Sequence, residues 1–135
     1  MEKEFVTYEQ ALALKELGFD ELCFGYYDGG GNLYTEMVEV LKAPLKQQVF
    51  RWFREKHKLH SWVQPMYEDQ DFYVFVLAKP KDFMIPKDIN WEGDEYLNHE
   101  EAENACIDKL IKIIKNKTDE KDNNTDNNSN SRLHL

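Results

Sequence analysis

The sequence predicts an α+β domain in which an antiparallel sheet of about four strands, formed as two hairpins, packs with three helices in the order α-ββ-α-ββ-α. Three observations lead there. Two pairs of strand-like segments are each broken by a short polar turn, and three amphipathic segments carry helix-start signals. A hydrophobic fraction of 41%, with 13% aromatics over 135 residues, is ample for one buried core.

The first helix is expected over 8–17. Thr7 can cap it, Gln10 three positions on completes a capping box, and Gly18 stands where a left-handed residue ends a helix. "LCFGYY" and "NLYTEMVEV" then flank Asp28-Gly29-Gly30-Gly31-Asn32, which reads as a hairpin turn. Those glycines lack the lysine and following helix of a phosphate-cradling loop. Pro44 suits the start of a second helix over 44–57, whose apolar face is Leu45, Val49, Trp52 and Phe53. The second hairpin joins "HSWVQPMYE" to "DFYVFVLAK" through Asp69-Gln70. Apolar residues on both faces of 72–77 predict a central strand, and Pro65 predicts that its partner is at an edge or bulged there.

Residues 79–97 show neither helical nor strand period and read as a long loop or flap. Asn98, with Glu101 three residues on, caps a third helix that turns Ala102, Ala105, Cys106, Ile107, Leu110, Ile113 and Ile114 inward and ends near 116. These elements make 1–116 a single domain. The remainder, 117–135, has two apolar residues in nineteen and is expected to be a disordered tail. The expected core comprises Leu14, Leu17, Phe24, Val49, Trp52, Phe53, Trp62, Val74, Val76, Cys106, Leu110 and Ile113.

Net charge is −9, which argues against a general nucleic-acid or anionic-membrane binder. The distribution is uneven. Residues 42–60 hold six bases against one acid, a local +5, leaving 11 bases and 25 acids, or −14, elsewhere. Cys23 and Cys106 have no CxxC spacing and read as reduced thiols; with no apolar leader or bilayer-length run, a cytoplasmic location is expected.

Within the basic island, Gln47, Arg51, Arg54 and Lys58 fall on one helix face, opposite the apolar one. The ordinary reading is a solvated helix back. The functional reading is a surface for an anionic partner, since arginines pair bidentately with carboxylate or phosphate. Tyr26, Tyr27 and Trp62 could stack on a base beside these cations, which raises a second reading, sequestration of a small anionic ligand such as a nucleotide signal. Strand aromatics more often belong to the core. His57 and His60 lack further ligands at a recognised metal spacing, so no metal site is assigned. No catalytic residue and no cofactor are assigned either, because no nucleophile has a motif-placed base.

The blocks "FVTYEQALALKELGFDELCFGYY", "PLKQQVFRWFREKHKLHSWVQP", "FYVFVLA" and "HEEAENACIDKLIKIIK" resemble a family of small uncharacterised proteins encoded by bacteriophages and prophages of gut bacteria. The resemblance covers most of 5–78 and 98–116, and departs from the family in 79–97 and in the Asn-rich tail. It transfers no activity and no site residues. It implies a context, the cytoplasm of a bacterial host, in which small accessory proteins bind a host protein or block a defence system. The expectation is therefore a non-enzymatic binding protein, an anti-defence factor among its variants. Self-association of the basic island with the acidic surface of a second copy is the related alternative.

Overall fold

A computed structural model describes residues 2–36, 41–67, 71–78, 90–91 and 95–133. The α+β class holds and the order matches roughly: each predicted strand pair is joined by one further short strand, giving α-βββ-α-βββ-α among the described residues, and the six strands divide between two antiparallel sheets instead of forming one of about four. The first sheet has the order β2-β1-β3, built from β1 (Gly25–Tyr27), β2 (Leu33–Tyr34) and β3 (Leu41–Ala43). The second has the order β4-β5-β6, built from β4 (His60–Tyr67), β5 (Asp71–Ala78) and β6 (Asn90–Trp91). Two- and three-residue strands leave no periodic trace, which is why β3 and β6 escape a reading by pattern.

The capping box predicted for α1 (Tyr8–Glu16) is present in both directions. Thr7 Oγ1 accepts from Gln10 N at 3.2 Å, and Gln10 Oε1 accepts from Thr7 N at 2.9 Å. Gly18 follows with φ +93°, and its N–H donates to Lys15 O, closing the helix as read. In the first turn, Asp28 Oδ1 accepts from the N–H groups of Gly30 and Asn32, both at 2.9 Å, and so fixes the hairpin. Those bonds to the charged form hold its carboxyl below the ordinary value. Gly25 is needed for a different reason: a Cβ there would lie 2.6 Å from Phe5 Cε1.

The second helix, α2 (Lys46–His57), buries Val49, Phe50, Trp52 and Phe53. Trp52 meets Phe19, Phe53 and His57 edge to face with ring centroids 4.9–5.4 Å apart. β5 is central in its sheet, and Val74–Leu77 are all buried, as the two-faced apolar pattern predicts. Tyr73 exchanges both backbone hydrogen bonds with Tyr96, at 2.8 and 3.0 Å, so its N–H and C=O point away from β4. Its opposite number on β4 is Pro65. By the alternation of an antiparallel ladder, the Pro65 nitrogen faces the free edge, where a missing N–H costs no ladder bond.

Tyr96 and β6 lie in the stretch read as an aperiodic loop, so part of it joins the sheet. Residues 79–89 and 92–94, and the Asp69-Gln70 turn, fall outside the described residues. The third helix, α3 (His99–Leu133), is capped by Asn98, whose Oδ1 accepts from Glu101 N at 2.9 Å. Its inward face is Ala102, Cys106, Ile107, Leu110, Ile111 and Ile114. Ile114 is the last buried side chain among those described, and helical backbone continues to Leu133, past the end near 116 expected from the apolar pattern. A nucleated helix extends by one hydrogen bond per residue without needing a packed face.

Two core assignments are corrected. Phe24 is 74% exposed because the strand starts one residue later, at Gly25. Trp62 is 43% exposed, and its indole N–H donates to Gln64 Oε1 at 2.9 Å along the face it shares with that residue. Leu17 and Ile113 pack at the margin of the core, half-buried.

Candidate functional site

The stripe on α2 is a real face: Gln47, Arg51, Arg54 and Lys58 are all exposed. Its members differ in what they touch. Gln47 Nε2 donates to Glu103 Oε2 at 3.3 Å and so ties α2 to α3. Arg51 lies 3.9 Å from Glu21 Oε2, and no ion pair joins Arg54 or Lys58 to another described residue. Lys58 ends the helix in the left-handed region, φ 56°, and its N–H donates to Phe53 O.

The aromatics named for stacking fall in different places. Tyr27 is buried, donates its hydroxyl to Val6 O at 2.6 Å and packs edge to face on Tyr8. It is a core residue. Tyr26 points to the other side of β1, across from Lys42 and Tyr34, and is half-buried. Trp62 belongs to the second sheet. Of the two clefts described below, neither is lined by Arg51, Arg54 or Lys58, so the convergence that nucleotide stacking requires is missing from them.

What does stand beside the stripe is apolar. The segment between α1 and β1 leaves Leu22 88% and Phe24 74% exposed. It is anchored to α2 by Gln48, whose Nε2 donates to Leu22 O at 2.7 Å and to Glu21 Oε2 at 3.4 Å. Lys42 Nζ secures its start through Asp20 at 3.1 Å. Two large apolar side chains are thereby held in solvent on the segment whose Glu21 reaches Arg51. The sequence hides this, because "LCFGYY" has the composition of one continuous strand.

A second feature lies at the opposite end of α2. The chain before α1 runs against the residues preceding α2, with Phe5 bridged to Leu45 and Val6 N donating to Pro44 O at 3.0 Å. Two adjoining clefts of about 270 and 590 Å³ form here, and they share Lys3, Lys46 and Glu100. The smaller is also lined by Tyr27, Asn98 and Asn104, the larger by Gln47, His99 and Glu103. Lys46 is only 3% exposed, yet no ion pair or side-chain hydrogen bond joins it to any described residue. Asn104 Oδ1 is buried and likewise lacks a hydrogen-bond partner. Leaving such an acceptor unpaired costs roughly 1–3 kcal/mol. Glu103, by contrast, is fully engaged, by Gln47 and by His99 Nδ1 at 3.3 Å.

Neither thiol is placed for nucleophilic work. Burial pushes Cys106 up to about 12 and Cys23 up to about 11, so both stay protonated at neutral pH. Among the described residues no group of three or more His, Cys, Asp or Glu gathers to hold a metal, and no helix is long and apolar enough to cross a membrane. No protein-family model, curated protein or solved structure matches the chain.

Proposed function

We propose that the protein is a non-enzymatic binding protein, of the small accessory kind that phages encode, and that it docks on a host protein through Leu22, Phe24 and the cations of α2. The observation that carries this reading is the exposure of Leu22 and Phe24 on a segment that Gln48 and Lys42 anchor and whose Glu21 lies 3.9 Å from Arg51. An apolar pair flanked by arginine has the composition of an interface hot spot, in which a few desolvated anchors supply most of the affinity. The acidic remainder of the chain favours a partner that presents carboxylates to α2 and keeps other anions at a distance. Blocking a host defence component is one role such docking serves. The protonated thiols support the non-enzymatic part of the reading.

The test is capture from bacterial host lysate with the wild type, Phe24→Ser and the double variant Arg51→Gln, Arg54→Gln. The wild type is expected to retain a saturable partner that weakens with salt, since exposed charges are screened over ~8–10 Å. Both variants are expected to lose it while melting as the wild type does, because exposed substitutions usually change stability within about ±0.5 kcal/mol. A double variant that captures everything the wild type captures overturns the reading. Light scattering at low and high salt separates self-association: a dimer that dissociates with salt would make a second copy the occupant.

A further inference from the structure

The second sheet ends in a long free edge. β4 is bordered by β5 on one side only, and its eight residues, His60–Tyr67, include no Asp, Glu, Lys or Arg in a chain that is 32% charged. Edge strands of that length are ordinarily blunted by charge, because their unpaired N–H and C=O groups template pairing with another strand. In β4 the only such device is Pro65. Since Pro65 faces outward, the alternation of the ladder turns the N–H and C=O of Ser61 and Val63 outward too. Among the described residues no backbone hydrogen bond reaches either of them from outside the sheet, and both keep some exposed surface. Trp62 between them is 43% exposed, on the opposite face from Val63.

Charge and register say which strand fits. A chain of net charge −9 repels its own copies except where the contact is uncharged, and β4 supplies such a strip. When two β4 edges pair antiparallel with Trp62 on the two-fold axis, Ser61 of each copy stands opposite Val63 of the other. Every outward N–H and C=O of both residues is then bonded. Pro65 falls opposite Leu59, beyond the strand, whose own N–H is already held by Phe53 O, so the missing proline N–H interrupts nothing. Sliding the register toward the C-terminus instead sets Pro65 against Ser61 or Val63 and leaves a carbonyl without a donor. The two Trp62 side chains meet across the axis in a non-hydrogen-bonded pair, the closer of the two kinds, where aromatic partners add to sheet stability.

We propose that the free edge of β4 is the interface of a two-fold homodimer, in which Ser61 and Val63 join the three-stranded second sheets of two copies into one continuous sheet around a Trp62 pair. The inference does not depend on the docking surface, because Leu22, Phe24 and the cations of α2 lie outside β4.

Light scattering on the full chain, over a concentration series up to about 1 mM at low and high salt, reads the oligomer directly. A dimer is expected at the upper end and is expected to persist in high salt, since no charge pair holds it. Trp62→Lys sets like charges directly opposite each other and should weaken the dimer by at least about tenfold. It should melt as the wild type does when both are dilute, the residue being exposed. The register is read separately by oxidised glutathione, which should link copies of Trp62→Cys, ~4.5 Å apart between Cα atoms, but not copies of Gln64→Cys, roughly 13 Å apart along the strands. The wild type controls for Cys23 and Cys106, and the cysteine variants carry the test alone should Trp62→Lys fail to fold. A monomer at every concentration overturns the inference; if Trp62→Lys then loses a host protein that the wild type captures, the edge serves a foreign strand. A dimer that salt dissociates, or that a folded Trp62→Lys leaves as tight, overturns it by placing the contact elsewhere. Linking through Gln64→Cys in preference to Trp62→Cys overturns the register.

Discussion

His57 and Lys58, adjacent at the end of α2, show how single positions carry cost in this fold. The His57 imidazole packs against Trp52 and Phe53, and its pKa is lowered from the ordinary 6.5, first by burial and then by Lys117 and Lys56. The fold therefore favours the neutral ring, and the unfolded chain takes up a proton more readily. This contribution to stability is fully present above about 6.5 and is lost as pH falls through that value toward the folded pKa. Urea unfolding at about pH 7.5 and 5.5, bracketing the ordinary histidine value, should show the wild type losing more stability between the two than His57→Gln. Equal losses would show that the ring titrates as it does in the unfolded chain. Lys58 makes a simpler case. A left-handed conformation costs a residue with a Cβ ~1–2 kcal/mol, and glycine is the preferred residue there. Lys58→Gly should raise stability by about 1 kcal/mol in denaturant melts, offset in part by the greater freedom of glycine in the unfolded state.

At the scale of elements, what was legible depended on whether the cause was local. The capping box of α1, the Asn98 cap of α3 and the two-faced β5 each rest on residues close in sequence, and each is present as read; α2 buries Val49, Trp52 and Phe53 as read but starts two residues later, with Leu45 at its N-cap and Pro44 before it. The separation of the strands into two sheets was not legible, because it depends on which strands meet after the helices pack. Phe24 and Trp62 were misplaced for a related reason. Aromatics in strand-like segments look like core, but Phe24 precedes its strand and Trp62 lies on an edge strand, on the face it shares with Gln64. Of the candidate site, the stripe on α2 was readable from helical spacing alone. Lys46 was not: at a helix start it resembles any surface lysine, and its burial comes from the N-terminal segment laid across Pro44 and Leu45. Asn104 is hidden the same way, since its unpaired oxygen exists only where α1, α3 and that segment close together.

For the molecule as a whole, α3 decides whether two small sheets behave as one folding unit. Neither sheet is independently convincing: the first has strands of only two and three residues, and the second has only two full-length strands. The first sheet packs on α1 through β3, and α3 then packs against α1, α2, β4 and β5. Polar ties reinforce these seams. Gln10 Nε2 donates to Asn104 O at 3.1 Å and to Asp108 Oδ1 at 2.9 Å, and Gln47 joins α2 to Glu103. Leu110 stands fully buried on the inward face of α3, within the core cluster that also contains Leu14 of α1, Val49 of α2 and Phe75 of β5. Leu110→Ala should therefore cost ~2–5 kcal/mol, the range for a buried leucine truncated where neighbours cannot fully collapse. Because the residue sits where the layers meet, the loss should fall on all of them. Thermal melts followed by far-UV circular dichroism and by tryptophan fluorescence should shift down together and stay coincident. If the two signals instead separate in the variant, the halves melt independently, and α3 joins the sheets without making them one cooperative domain.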